Sequence, residues 1–551
     1  MGPGGAVRHF NRRQVLGVAG WGLGLGLGPA LTACAPARAP LPPAQWVGAS
    51  HARGHRLRQI DAQALPAPAV QRRASVLVVG AGVAGLAAAR ACAQAGVDDV
   101  HLLELEDSAG GNSRGQVLAG MACPMGAHYL PMPGPQAHEV SALLHELGLL
   151  RSELGRTVAD ERHLCHSPQE RLFIDGAWVE GLLPPAEPGS ATARQFGAFA
   201  AAVAGVQRHA TFAIPAHRAP WHAMLEDLNR QTFAQWLDAQ GLNDPHLRWY
   251  LDYACRDDYG APADTVSAWA GVHYFASRHG FHAPGEDGPA DTREGVFTWP
   301  EGNAWLTQRL AQPFKDRLHA GRTVLRVTEQ RHGVQVLAFD EAAGQVEAWT
   351  AERVVLAVPI FMAARLVDTP PQALRDACVL LQYAPWLVAN LHLDAPLLDR
   401  PGAPPSWDSV VYGSTSLGYV DAMHQSLRPH PGPTVLTAYH ALPRSERSAL
   451  LAETPVPWAA RVLADLRAVH PDIDRRVQRI ALTRWGHAMA IALPGVQRHP
   501  ALMALRQMRG RVRFAHADLA GYSVFEEAFT AGCEAAAGMF HGAPTRSAGQ
   551  A

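Results

Sequence analysis

Ser75-Val-Leu-Val-Val79 runs without a break into Gly80-Ala-Gly82-Val-Ala-Gly85, and the reading of this stretch decides the fold. A short, continuous apolar run with three β-branched residues is the pattern of a strand buried on both faces of a parallel sheet. An Ala/Leu-rich helical stretch follows to about Ala95, where Gly96 closes it. A second strand, Val100-His-Leu-Leu-Glu104, ends on an acid about 20 residues beyond the last glycine. Each part has a task. Gly80 permits a tight turn, Gly82 lets backbone approach a pyrophosphate, and Gly85 lets the helix pack close to the strand. The helix N-terminus offers N–H groups and a positive dipole end to phosphate. Glu104 accepts hydrogen bonds from a ribose diol and repels a 2′-phosphate. Strand, glycines, helix, strand and acid in this order predict a dinucleotide-binding βαβ unit, but they leave FAD and NAD equally open.

The 551 residues allow two to four domain-sized units, and 48% hydrophobic against 18% charged residues allow a large core. A formal charge of -1 provides no global field for nucleic acid. Basic charge is almost wholly arginine, with Lys315 the one lysine. The seven cysteines (Cys34, Cys92, Cys123, Cys165, Cys255, Cys378 and Cys533) are scattered, with no pair or Cys/His cluster at metal spacing. No metal site and no disulfide framework is therefore expected.

The N-terminus reads as an address. Arg12 and Arg13 precede a Gly-rich, modestly apolar run from Val15 to Ala33, too weak for a transmembrane helix. Asn11-Arg-Arg-Gln-Val-Leu16 resembles a twin-arginine signal, and Leu31-Thr-Ala-Cys34 resembles a lipobox. Residues 1–34 are thus expected to be an export signal, with lipidated Cys34 the sole membrane attachment. The location expected is periplasmic or cell-envelope. Cleavage after a small residue, with Cys34 incidental, is the alternative. Residues 35–73 are rich in Pro, Ala and Arg without periodicity and read as a tether.

Beyond Glu104 the chain continues Leu-Glu-Asp-Ser-Ala-Gly110-Gly111-Asn-Ser-Arg114, and here it resembles the flavin-containing amine oxidoreductase superfamily. In that family a Gly-Gly-Arg follows the ribose-binding acid and wraps the FAD pyrophosphate. Gly110 and Gly111 match; Asn112 stands at the Arg position, so Arg114 is the candidate replacement. Met125-Gly-Ala-His128-Tyr129 is similar to the segment passing the isoalloxazine ring. Thr298-Trp-Pro-Glu301-Gly302-Asn303-Ala-Trp305, Thr323-Val-Leu-Arg-Val327 and Glu352-Arg-Val-Val-Leu-Ala-Val-Pro359 resemble further parts of the FAD domain, with Val324 or Val327 placed against adenine. Val512-Arg-Phe514-Ala-His-Ala-Asp518, with Gly521, Glu526 and Gly532 after it, resembles the closing motif, in which Asp518 would bind the ribityl chain. The resemblance selects FAD as cofactor. It departs where Ala-His-Ala-Asp replaces the usual Ala-Gly-x-Glu.

The resemblance also implies an α/β fold. A Rossmann-like FAD-binding domain is expected from residues 74–140, 295–370 and 485–543. A discontinuous α+β substrate domain, helical insertion plus antiparallel sheet, is expected from 141–294 and 371–484, leaving 544–551 as a tail. Trp485, His487 and His128 are the candidates for the flavin face. In the run Tyr253 to Gly260, charge collects amid aromatics; an Arg–Asp tie between helices is the expected role of Arg256, Asp257 and Asp258, with binding of a polar substrate the alternative. Trp407, Asp408 and Tyr419 lie near strand ends, where packing is the expectation. Many family members hold a water at flavin N5 with a Lys; Lys315 lies in the wrong part of the chain and the strand Trp386 to Val388 has none.

The leading expectation is an exported FAD-dependent oxidoreductase that takes hydride from an amine or another activated C–H of a small molecule. The electron acceptor (oxygen, a quinone or a redox protein) stays open, as does covalent flavin attachment. A desaturase- or isomerase-like enzyme on an apolar substrate is one alternative. A lipoprotein keeping FAD without turnover is the other.

Overall fold

The computed structural model describes residues 41–58, 67–281, 295–428 and 430–540. The proposed signal at 1–34, the first part of the tether and the tail at 544–551 lie outside the described residues.

The strand Val70–Val79 sits centrally in a seven-stranded sheet. It pairs in parallel with Val100–Leu103 on one side and with Gln345–Leu356 on the other. Antiparallel strands Gly333–Asp340 and Arg322–Gln330 extend the second side, and Val512–Phe514 runs parallel to the end of Gln345–Leu356. The helix Val83–Gln94 carries mostly alanine on its buried face, which makes it thin. The helix Phe525–Phe540 consequently packs hard against it: a Cβ on Gly532 would stand 2.1 Å from the carbonyl oxygen of Ala84. This is the Rossmann-like domain the βαβ pattern predicts.

A second sheet of eight strands forms the other half. Its centre is the antiparallel set Val477–Ala490, Tyr383–Leu393, Thr434–Ala441 and Tyr419–Asp421. Asp408–Val411 then joins the hairpin Glu170–Ile174 and Ala177–Glu180. Helices Ala191–Gln207, Phe233–Ala239, Pro245–Tyr259 and Ala268–Tyr274 build a separate apolar cluster beside it. Among them Pro245–Tyr259 is locally well specified. Asp244 accepts from the N–H groups of His246 and Leu247, Pro245 occupies the first turn, and left-handed Gly260 (φ 67°) ends it.

Two expected boundaries are corrected. Residues 35–73 are not a tether throughout. Ala44–Val47 is an edge strand parallel to Val477–Ala490, in register from Ala44 opposite Ile480 to Val47 opposite Thr483. A short helix, His51–His55, follows, and the nucleotide strand itself begins at Val70. Four residues are too few to display periodicity, and the strand's hydrogen bonds come from a partner more than 400 residues away. The boundary placed at 485 also falls inside a continuous strand, since Val477–Ala490 belongs whole to the second sheet.

Candidate flavin and substrate site

A cavity of about 490 Å³ lies between the nucleotide sheet and the second sheet, lined from both. At one end stands the glycine turn. Gly80 (φ 94°) could carry no side chain, because a Cβ would meet the Ala357 carbonyl oxygen at 2.5 Å. A Cβ on Gly85 would stand 1.9 Å from the Gly80 oxygen. Gly82 differs: its Cβ would find only the Gly111 Cα, at 3.7 Å, so this face is kept open toward the cavity. Gly110 (φ 126°) and Gly111 (φ 56°) form the opposing turn, tied back by the Gly110 N–H to the Ala81 oxygen at 2.8 Å. Glu104 is buried between the two turns. Its carboxylate accepts from the N–H of Ala81 at 2.7 Å and of Glu106 at 3.0 Å, while burial pushes its pKa upward. Backbone bare of side chains and an acid at the strand end form a cradle fitted to the phosphates and ribose of a dinucleotide.

Three residues assigned to the cofactor from the sequence, Arg114, Val327 and Asp518, do not line the cavity. Arg114 is buried behind the cradle, outside the cavity wall; it donates to the Gly111 oxygen and pairs with Glu106 at 3.7 Å. It therefore does not replace the arginine missing at Asn112, which instead ties the loop to the Ala488 oxygen at 2.7 Å. Of the two valines, Val324 lines the cavity and Val327 is sealed in the core. Asp518 faces inward, because the turn Ala517–Ala520 rotates it off the cavity and leaves His516 and Ala517 as the lining. It accepts from the Ile360 N–H at 2.8 Å and the Tyr383 hydroxyl at 2.7 Å. Burial works to raise its pKa, but His516 and these two donors outweigh it and hold the carboxyl below its ordinary value.

The three ring-side candidates do come together in the cavity wall. His128 stacks on Tyr439 with centroids 4.4 Å apart, and burial pushes its pKa down to about 3, so it is neutral. Trp485 donates its indole N–H to the Met125 oxygen at 2.8 Å, which fixes the ring. His487, beside Phe361, is pushed down to about 4 by burial, with Arg447 adding to it. The N-terminal turn of Phe525–Phe540 contributes Phe525 and Glu526, and Glu526 pairs with buried Arg278 at 2.7 Å. Lys315 is exposed and away from the cavity; Trp386 and Val388 occupy the wall on their strand.

Sequence reasoning undervalued the acids. Arg256 turns to Asp252 at 2.9 Å and to the Thr415 oxygen, so the expected tie to Asp257 or Asp258 is not made. Both of those carboxyls face the cavity instead. Burial, then Asp258 and Glu170, push Asp257 up to about 7. Burial pushes Asp258 up to about 6 against the pull of Arg278. Asp257 also borders a second chamber of about 300 Å³, which shares His128, Tyr129, Asp257 and Tyr439 with the first. Glu170 and Asp408 line that chamber among Tyr250, Tyr253, Tyr274 and Trp407, and burial raises Asp408 well above the carboxylate range. Tyr419, by contrast, packs internally, hydrogen-bonded to His470 at 2.7 Å. Helical spacing put Asp257 and Asp258 beside apolar neighbours; which side meets a cavity is decided by packing.

The family model for flavin-containing amine oxidoreductases matches residues 83–539. The chain belongs to this family. It is an FAD-dependent oxidoreductase with FAD as its cofactor, and the cradle has the form a dinucleotide requires. No curated protein sequence matches the chain significantly. Among solved structures it is similar to a putrescine oxidase bound to putrescine, with 21% identity, 85% of this chain and 99% of that one covered, and a TM-score of 0.61. Cyclohexylamine oxidase from Brevibacterium oxydans aligns at 18% identity over 84% of this chain and 98% of that one, TM-score 0.62. A fatty acid isomerase from P. acnes aligns at 16% over 85% and 99%, TM-score 0.56. At these identities the likeness bears on the fold, and all three share it.

Proposed function

We propose that this enzyme takes hydride from the carbon beside a neutral amine nitrogen, and favours amines that carry a second, protonated centre. One observation carries the reading: Asp257, Asp258, Glu170 and Asp408 converge on two adjoining chambers walled by aromatic rings. Carboxylates attract an ammonium group, and the faces of Tyr439, Tyr253 and Trp407 add cation–π attraction as water is excluded. Bound FAD supplies the two-electron acceptor for the C–H bond. Gly80, Gly82, Glu104, Gly110 and Gly111 hold the dinucleotide, with Gly85 letting the helix close on the turn behind them; Trp485, His487 and neutral His128 shape the wall beyond it. Two of the structural relatives are named for amines and one for a fatty acid. A cation gains from ionising these acids, whereas a fatty carboxylate gains nothing from them, which favours the amine reading over the apolar-substrate alternative.

Anaerobic mixing of the yellow protein with diamines, monoamines, amino acids, prenyl compounds and unsaturated fatty acids tests the reading. Diamines are expected to bleach the flavin fastest. Bleaching by an apolar compound alone would overturn it, and bleaching by nothing would favour a protein that keeps FAD without turnover. Adding oxygen, a quinone or a redox protein to the bleached enzyme then identifies the acceptor.

We also propose that the enzyme works in the cell envelope, exported folded by the twin-arginine route and held by lipid at Cys34. The support is the Arg12-Arg13 and Leu31–Cys34 patterns. The double variant Arg12→Lys, Arg13→Lys is expected to leave the protein in the cytoplasm, and Cys34→Ala to release it from membranes on fractionation. Unchanged distribution of both variants counts against the proposal.

A further inference from the structure

Residues 44–58 lie ahead of the nucleotide strand Val70–Val79 and of the matched residues 83–539, yet they reach the cofactor end of the cavity. The segment is attached at three points. Its edge strand Ala44–Val47 is hydrogen-bonded to the substrate-side strand Val477–Ala490. The Ser50 N–H donates to both oxygens of Glu106, at 2.9 and 3.1 Å, just past the ribose-end acid Glu104. Arg56 then makes a two-pronged bond to Glu341, at 3.0 and 2.6 Å, on the nucleotide domain, with its guanidinium 4.3 Å above the Phe339 ring. Bidentate arginine–carboxylate pairs hold orientation as well as charge. Between these points Arg53, Gly54 and Leu57 form part of the cavity wall.

Charge gives the segment a task. A dinucleotide brings two phosphate charges into a wall whose described arginines are Arg53, Arg278 and Arg322. Arg278 is committed to Glu526 at 2.7 Å, and Arg322 to Asp340 at 2.7 Å and Glu347 at 3.2 Å. Arg114 pairs with Glu106 at 3.7 Å and lies over the Trp485 ring at 5.7 Å. Arg53 is different. Its ionic partner, Asp107, has a side chain 85% exposed, so exchanging it for a phosphate costs little. We propose that residues 44–58 are a cofactor strap: a binding element ahead of the nucleotide strand that closes the dinucleotide end of the site, with Arg53 supplying positive charge to the FAD phosphates and Leu57 covering the nucleotide half.

The strap spans both domains, so it fastens one to the other at the cofactor, and its removal is expected to show in retention of FAD before it shows in fold. Flavin release from the holoprotein, followed by the rise in free-flavin fluorescence on dilution, is expected to be about 10-fold faster in Arg53→Ala. It is expected to be faster also in Arg56→Ala, which loosens the strap without touching the cavity. Hydrogen exchange supplies a second readout independent of any variant. Amides of residues 44–58 are expected to exchange more slowly with FAD bound than after its removal by acid and salt. Release at the wild-type rate in both variants, together with exchange in 44–58 indifferent to FAD, overturns the proposal. If Arg56→Ala fails to fold, Arg53→Ala and the exchange comparison decide it.

Discussion

Gly82→Val is expected to give a folded protein that purifies colourless, with FAD bound at least about 100-fold more weakly, roughly 2.7 kcal/mol. The backbone tolerates the change: Gly82 has φ -73° and ψ -174°, an extended conformation open to any residue. The protein has room for it too, since a Cβ meets only the Gly111 Cα, at 3.7 Å. What the valine fills is the gap through which backbone approaches the pyrophosphate. Gly80→Val and Gly85→Val are the contrasting controls, because their Cβ atoms would strike carbonyl oxygens at 2.5 and 1.9 Å and damage the strand–helix turn itself. Flavin absorbance read beside thermal melting of the apoproteins separates the two kinds of loss. A Gly82→Val protein that stays yellow would show that the cradle is not where the dinucleotide lies.

The legible parts of this chain were local. Strand, glycines, helix, strand and acid between Ser75 and Glu104 each leave a mark within a few residues; the structure places Gly80, Gly82, Glu104, Gly110 and Gly111 around one cavity end, with Gly85 packed against the Gly80 carbonyl behind them. Side-chain direction was less legible. Val324 and Val327 lie an odd number of residues apart, so a regular strand points only one of them at the cavity; a sheet buried on both faces gives hydrophobicity no means of choosing. A register shift between Val324 and Arg326 disturbs even the alternation. Asp518 has the right chemistry one residue out of phase, and the tight turn Ala517–Ala520 buries it. The strap could not be read at all, since its strand is stabilised by Val477–Ala490 and not by any pattern of its own. Asp257 and Asp258 were visible as a charge cluster; the cavity they face is a property of the assembled helices.

Those acids carry the second large effect. Asp257→Asn is expected to raise KM for a diamine by about 30-fold, near 2 kcal/mol for one lost charge-assisted contact in a buried site, with kcat within a factor of three. A monoamine of similar length is expected to lose less, because Asp257 is shared between the two chambers and serves the group that enters the second. The pH profile gives the sign. Burial, reinforced by Asp258 and Glu170, places the free-enzyme carboxyl near 7, so it is largely neutral at pH 6 and charged at pH 8. An alkylammonium, like a lysine with its pKa of about 10.4, stays protonated across that window, so the change in attraction comes from the enzyme. Binding of the cation expels the carboxyl proton, and diamine KM therefore falls as pH rises through 7, by about 10-fold between 6 and 8. Stability runs the other way. A carboxyl raised above its unfolded value favours the fold at low pH, and that contribution is lost as pH climbs toward 7, while the lowered histidines His128 and His487 contribute the opposite slope. The share of Asp257 is therefore read as the difference in melting between the wild type and Asp257→Asn at pH 5 and pH 8. Asp257→Asn removes its own part of both slopes and leaves the share of Asp258, raised to about 6, in place. A variant whose diamine KM and pH profile match the wild type would mean that the second positive centre binds elsewhere, and the two-chamber reading of the substrate would fall with it.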